Sequence, residues 1–212
     1  MAHILITSGP TRQYLDPVRY LSNASSGKMG RSLAQAALDL GHDVTIVTGP
    51  VSLKYPEAAN IIEVVSTREM FQAAIKAFPK CDGVIAAAAP CDFKPKHFSQ
   101  QKIKKTPQRF ELELVPTVDI LAELGASKKA DQWSLGFALE TEDGKARALK
   151  KLSKKKCDLI VLNGPTAIDS SENQIDIIAP QGNVIHSFAG PKEAVAREIL
   201  NVIQTHLMVR QN

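Results

Sequence analysis

Cysteine is scarce in this chain, and so are aromatic side chains and long apolar runs. The three cysteines, Cys81, Cys91 and Cys157, are an odd number without C-x-x-C spacing, which excludes a disulfide framework and fits a reduced, cytoplasmic protein. The five histidines (His3, His42, His97, His186 and His206) have no ligand spacing with one another or with cysteine, which argues against a structural zinc. No apolar run approaches the roughly 20 residues needed to span a bilayer. The N-terminal MAHILITSGPTR has no basic segment followed by a long apolar stretch, so neither a membrane partner nor a signal peptide is expected. Aromatics are 5% of the residues and do not interleave with the basic runs, which disfavours nucleic acid as a partner. The dinucleotide fingerprint G-x-G-x-x-G is absent. A P-loop is excluded because Ser22 stands where its first glycine belongs and Met29 where Ser or Thr should follow the lysine. None of Tyr14, Tyr20 and Tyr55 is followed four residues later by Lys, which disfavours a short-chain reductase.

What is present is ordinary globular composition: 212 residues, 44% apolar, 23% charged, 12 Gly, 12 Pro and a net charge of +4. One domain over residues 1–212, with a core that needs no staple, is the expectation. Residues 3–7 (HILIT) and 44–47 (VTIV) read as buried strands, each ending in Gly-Pro after one polar residue. Between them Met29, Leu33, Ala36, Ala37 and Leu40 fall at helical spacing before Gly41, which completes a β-α-β unit of roughly 40 residues. The alternation continues with strands at 61–65, 83–89, 134–137 and 158–162. Ser66 and Glu69 have capping-box spacing before a helix whose apolar face is Phe71, Ala74, Ile75 and Phe78. Residues 175–178 and 184–188 predict an antiparallel hairpin at a sheet edge, after which Pro191 opens a closing helix to about 207. The fold class is therefore α/β: a Rossmann-like, open, mostly parallel sheet with helices on both faces. Two stretches break the rhythm, a basic segment at 94–109 that reads as a mobile flap and a Gly/Pro/Ser/Asn-rich surface loop at 164–174.

Ligands of open parallel sheets sit beyond the carboxyl ends of the strands. That singles out residues 9–12, 89–93, 137–141 and Asn163, together with residues 19–30 leading into the first helix. There Ser25, Ser26 and Gly27 either cap the helix or offer backbone N–H groups to an anion at its positive end. Arg19 and Asn23 are either an ion pair and a turn residue or ligand contacts. Asp92 caps a turn or accepts from a ribose, and Phe137 is core or a base platform. Lys102, Lys104 and Lys105 are solvated surface or a lid over phosphates, and the seven basic residues between Lys145 and Lys156 include a face formed by Lys151 and Lys155. The cysteines read as buried structural thiols.

Taken in order, GPTRQYLDPVRYLSNASSGKMG (9–30), VTGPVSL (47–53), AAPCDFKP (88–95), KIKK (102–105), GFALET (136–141) and DLIVLN (158–163) resemble one family closely, phosphopantothenoylcysteine synthetase of the bacterial type. The resemblance covers about three quarters of the chain. It implies a dimeric ligase of coenzyme A biosynthesis, in which the carboxylate of 4'-phosphopantothenate attacks the α-phosphate of CTP with Mg²⁺, giving an acyl-cytidylate and pyrophosphate. The amine of L-cysteine then displaces CMP. Carried over by position, Asn23, Arg19 and the flap Lys102 are the catalytic group. Asp92, Phe137, Lys151 and Lys155, with Ser25, Ser26, Gly27, Ala88, Ala89, Asp119 and Ile120, hold the nucleotide, and no metal ligand is identified. The chain departs from the family at Thr117-Val118-Asp119-Ile120, where N-P-D-I is common, and in the Pro90-Cys91-Asp92 ending of the small-residue strand. A stand-alone, CTP-dependent homodimer with a separate decarboxylase is the expectation. An ATP-preferring ligase and a noncatalytic nucleotide-binding regulator are the alternatives.

Overall fold

The computed structural model describes residues 1–105, 107, 109–139, 143–164 and 172–208. The chain begins with β1 (His3–Ser8), a small ribbon of β2 (Arg12–Tyr14) and β3 (Tyr20–Ser22), α1 (Lys28–Asp39), β4 (Asp43–Thr48) and β5 (Asn60–Glu63). Next come α2 (Thr67–Ala77), β6 (Gly83–Ala86), β7 (Phe93–Pro95), β8 (Leu114–Pro116) and α3 (Ile120–Ser127). The last part is β9 (Trp133–Leu139), α4 (Gly144–Lys154), β10 (Leu159–Asn163), β11 (Glu172–Ile178), β12 (Val184–Pro191) and α5 (Lys192–Ile203), followed by a π-helical turn over Gln204–Met208.

Eight strands form the main sheet in the order β12-β11-β10-β9-β6-β1-β4-β5. The six from β10 to β5 are parallel, and β11 and β12 join antiparallel at the edge, as the sequence predicts. From β1 the chain builds outward through β4 and β5, then returns to lay down β6, β9 and β10 on the other side. The order therefore reverses between β1 and β6, the point where crossovers diverge to opposite faces and leave a crevice.

Alternation along the strands explains the two faces. Ile4 and Ile6 pack with Ile46, Leu135 and Val161 against α1 and α5, whereas Leu5 turns the other way, with Val47 and Val84, toward α2 and α3. Helix α4 covers Ala138, Ile160 and Ile178. A fully buried Leu or Ile contributes about 1.5–3 kcal/mol by its removal from water, so these three clusters supply the main driving force. Two glycines bring α1 onto the end of β1. Gly27 enters the helix at φ +75°, and a Cβ on Gly30 would stand 2.0 Å from Ser8 Oγ.

Several expectations need correction. Ser66 and Glu69 do form the capping box and Ala74 and Phe78 are buried as expected, but Met70 is fully buried with them while Phe71 and Ile75 are only half-buried. The small-residue strand leaves the ladder at Ala86, three residues early, and only Ala89 bridges back, to Pro10. The flap does not begin at 94: Lys94 and Pro95 belong to β7, which pairs antiparallel with β8 as a second ribbon. Pro191 ends β12 and caps α5 rather than opening it, because β12 continues past Phe188. Most of the 164–174 loop, and Glu140 and Thr141 of the 136–141 motif, lie outside the described residues. No helix among the described residues is long and apolar enough to cross a membrane.

Candidate active site

A cavity of about 580 Å³ lies in the crevice at the carboxyl ends of the parallel strands. The N-terminus of α1 forms one wall through Ser25, Ser26 and Gly27. The loop after β6 forms the floor through Ala88, Ala89 and Asp92. Opposite stand Asp119 and Ile120 at the start of α3, Phe137 of β9, and Lys151 and Lys155 of α4. With Asn23, every predicted site residue is brought here except Arg19 and Lys102.

Asn23 is an exposed residue whose Nδ2 donates to the carbonyls of Ala89 (3.2 Å) and Pro90 (3.0 Å), so its amide holds the α1 entry against the β6 loop. Asp119 caps α3 by accepting from the Ala122 N–H at 3.2 Å and pairs with Lys155 Nζ at 3.1 Å. The ammonium of Lys151 donates to the carbonyl of Phe137, tying the lysine face of α4 to the β9 terminus. Lys155 follows the last turn of α4 as its C-cap, where a cation also meets the negative end of the helix.

Both departures from the family pattern are accommodated locally. Thr117 donates Oγ1 to the Cys91 carbonyl at 2.6 Å and its N–H to the Asp92 carbonyl at 2.9 Å, thereby fixing the turn that presents Asp92. The Cys91 N–H donates to Thr11 Oγ1 at 2.9 Å and the thiol to the Thr11 carbonyl. Burial pushes the Cys91 thiol up and takes Cys81 and Cys157 to about 11, so all three remain protonated thiols. They are free and buried, in keeping with a structural role.

Arg19 and Lys102 lie on a different feature, the tether of the flap. Asp16, which has no exposed surface, accepts the N–H groups of Val18 and Arg19 at 2.8 Å each and that of Ile103 at 3.1 Å. The Arg19 guanidinium pairs with the same carboxylate and donates to the Ile103 carbonyl at 3.1 Å. Lys102, next to the tethered Ile103, is exposed. Burial opposes ionisation of Asp16, but the N–H groups of Val18, Ile103 and Arg19 and the guanidinium outweigh it and hold its carboxyl well below the ordinary range. A folded-state pKa below the unfolded value stabilises this arrangement at neutral pH, and that contribution is lost as pH falls through the lowered folded value. Hydrogen exchange across residues 97–105, corrected for its intrinsic pH dependence, should therefore quicken only below the ordinary carboxylate range in the unaltered protein. In Asp16→Asn it should already be fast at neutral pH. Equal protection of the two proteins at pH 7 would show that the carboxylate is not the tether.

Sequence reasoning missed Asn173 and Lys192, which line the cavity, and marked Asn163 only as a residue after a strand. Asn173 read as part of a surface loop and Lys192 as the start of a closing helix. Register brings them in: Asn163 is opposite Ile175, Asn173 is opposite Gly190, and Lys192 follows two residues later. Among the described residues no group of three or more His, Cys, Asp or Glu side chains could hold a metal by itself.

The family model described as DNA/pantothenate metabolism flavoprotein C-terminal domain matches residues 1–207. The chain belongs to this family. It is 43% identical over 208 residues to the coenzyme A biosynthesis bifunctional protein CoaBC of Vibrio vulnificus (strain YJ016), which covers 95% of this chain and 52% of that protein. The CoaBC of Bacillus subtilis (strain 168) is 48% identical over 162 residues, 76% of this chain and 40% of its own. The chain thus spans about half the length of the curated relatives it matches. The crystal structure of the C-terminal domain of a CoaBC superposes with a TM-score of 0.82 at 37% identity, covering 100% of this chain and 97% of that one. A Cab2 variant in complex with phosphopantothenate-cysteine shares the fold, with a TM-score of 0.81 at 17% identity over 100% of this chain and 89% of that one.

Proposed function

We propose that this chain carries the phosphopantothenate–cysteine ligase step of coenzyme A biosynthesis, with CTP as the activating nucleotide. Membership of the family and likeness to CoaBC support the pathway. The observation that carries the reaction is a single cavity that joins a helix N-terminus, the Asn23 amide and the Lys151–Lys155 pair. A carboxylate is a poor acyl donor until one of its oxygens becomes part of a phosphate leaving group. In the first step the 4'-phosphopantothenate carboxylate oxygen bonds to the α-phosphorus, and the bond to the bridging oxygen breaks to release pyrophosphate. In the second, the amine nitrogen of L-cysteine bonds to the acyl carbon and CMP leaves with the electron pair. The ammonium gives up two protons to solvent over that step.

The parts have distinct uses. N–H groups at the start of α1 suit a phosphoryl oxygen. Phe137 offers a face to the base, and Lys151 and Lys155 offset phosphate charge. Mg²⁺ fits a site with a single uncommitted carboxylate, since it is usually held by one or two carboxylates and the substrate phosphates, with water completing the shell. Asp92, exposed on the cavity floor, is the residue to hold it. When bound, the ion neutralises charge on the triphosphate. The homodimer is supported by the apolar side chains that the two ribbons leave exposed, Tyr14, Tyr20, Phe93 and Leu114. The product still carries the cysteine carboxylate, and a decarboxylase would act on it next.

Because an acyl-nucleotide needs no amine to form, pyrophosphate should appear in a single turnover with CTP and 4'-phosphopantothenate alone. Rapid-quench measurement with each of the four nucleotides checks this and the base preference together. A burst only with ATP would identify the ATP-preferring form. Pyrophosphate only when cysteine is present would refute the stepwise route, and nucleotide binding with no amide product would indicate a regulator.

A further inference from the structure

The loop between β4 and β5 carries a residue that the ligase reading above leaves without work, Tyr55. Its half-buried ring packs against the main core cluster, while its hydroxyl joins the ends of two neighbouring strands. Tyr55 Oη donates to Ser8 Oγ at 2.8 Å and lies 2.8 Å from Thr48 Oγ1. Ser8 is the last residue of β1 and Thr48 the last of β4, and both are buried. Ser8 Oγ in turn donates to the carbonyl of Gly27 at 3.4 Å. A chain of hydroxyls therefore runs from the carboxyl end of the sheet to the entry of α1. A Cβ on Gly27 would stand 3.0 Å from Tyr55 Oη and 3.0 Å from Val51 Cγ1, so this loop lies directly against the Gly27 backbone.

Gly27 needs such a hold. It is the N-cap of α1 at φ +75°, no side chain caps the helix, and a glycine passes between backbone conformations more freely than any other residue. Its carbonyl accepts the Arg31 N–H at 3.0 Å, the first bond of the helix, as well as the Ser8 hydroxyl. The peptide joining Gly27 to Lys28 is planar and trans, so a fixed Gly27 carbonyl also fixes the direction of the Lys28 N–H on the opposite side. Residues 25–30 are a wall of the cavity, whereas Tyr55 does not line it. We propose that Tyr55 is a positioning residue for the nucleotide: through Ser8 its hydroxyl holds the Gly27 peptide in the orientation that the phosphate-bearing wall requires. That the wall carries a phosphate of CTP rests on the ligase reading. The ring alone does not explain the choice of tyrosine, since phenylalanine would fill the same space and leave Ser8 without its donor.

The experiment removes the hydroxyl and keeps the ring. Tyr55→Phe should raise the KM for CTP by about 3- to 10-fold, the worth of one neutral hydrogen bond, while the KM for L-cysteine stays within about twofold. Ser8→Ala breaks the next link and should raise the KM for CTP by a similar factor. Because either change breaks the same chain, the double variant should differ from the single ones by less than about twofold, whereas independent effects would multiply. Melting curves identify any variant that fails to fold, and Ser8→Ala carries the test alone should Tyr55→Phe do so. A purely structural hydroxyl would lower the melting temperature and leave the KM for CTP as it was. That result in folded Tyr55→Phe, equal losses for CTP and L-cysteine, or multiplying losses in the double variant would overturn the proposal. Should the unaltered protein form no amide at all, the ligase reading fails by itself. Calorimetric titration of CTP then reads the wall directly: affinity weakened about 3- to 10-fold by Tyr55→Phe sustains the positioning role, and affinity indifferent to that change, or no binding, overturns it.

Discussion

Asn23→Asp is expected to lower turnover by about 10²–10³ while the protein melts only a few degrees below the unaltered chain. The Asn23 amide donates to the Ala89 and Pro90 carbonyls across the mouth of the cavity. A carboxylate has the same shape but no N–H to give, so two attractions become two repulsions and a negative charge is set beside an anionic acyl-nucleotide. Because the residue is exposed, water takes over part of the lost bonding. Each bond is then worth about 1 kcal/mol, which in a chain of this length shifts the melting temperature by roughly 2–4 °C. The chemical penalty is larger, since it acts where negative charge builds up in the transition state. Rapid-quench rates and a thermal melt on one preparation separate the two effects. Collapse of the fold, or a rate loss no greater than the stability loss explains, would make Asn23 a turn residue only.

The same residue shows how far the site was legible before the fold. A parallel sheet places ligands at the carboxyl ends of its strands, and β1, β4, β9 and β10 announce themselves as short apolar runs ended by polar or turn residues. Reading the residues just past strand ends found Phe137 and, after the small-residue strand, Ala89 and Asp92 of the cavity floor, whereas the α4 lysines were legible as a basic run and through the resemblance. The rule fails for β11, which runs antiparallel, so it is its beginning that lies beside the end of β10. Asn173 and Lys192 therefore entered the cavity unannounced. The β2–β3 ribbon was invisible for another reason. Its three-residue strands carry no period, and they are held by contacts between side chains: the Arg12 guanidinium 4.5 Å from the centre of the Tyr20 ring, and the Tyr14 and Tyr20 rings edge to face at 5.3 Å. Asp16 was legible only as part of a motif, since nothing local predicts that a carboxylate will capture an N–H 87 residues away.

That tether frames the second large effect, expected at Lys102. The resemblance assigns Lys102 to the nucleotide, yet the structure places it outside the cavity, one residue from the Ile103 backbone that Asp16 and Arg19 grip. The β7–β8 ribbon fixes the base of the flap at one end, and this grip fixes its tip at the other. We propose that a flap so built swings from this tethered position over the cavity when nucleotide binds, with the triphosphate supplying the charge that favours the swing. An exposed lysine that merely solvates a loop is worth at most about 0.5 kcal/mol, and its loss would hardly be felt in catalysis. A lysine that meets a transferring phosphoryl group is different, because removing one preorganised charge partner costs about 10²–10³ in rate. Lys102→Gln should therefore melt like the unaltered protein, lower the pyrophosphate-releasing step by about that factor, and leave amide formation from preformed acyl-nucleotide much less affected. Hydrogen exchange of the flap in the presence of nucleotide and acid should show slower exchange in the unaltered protein than in the variant. A normal rate of pyrophosphate release from Lys102→Gln would return residues 102–105 to ordinary basic surface and leave Lys151 and Lys155 as the charge partners of the phosphates.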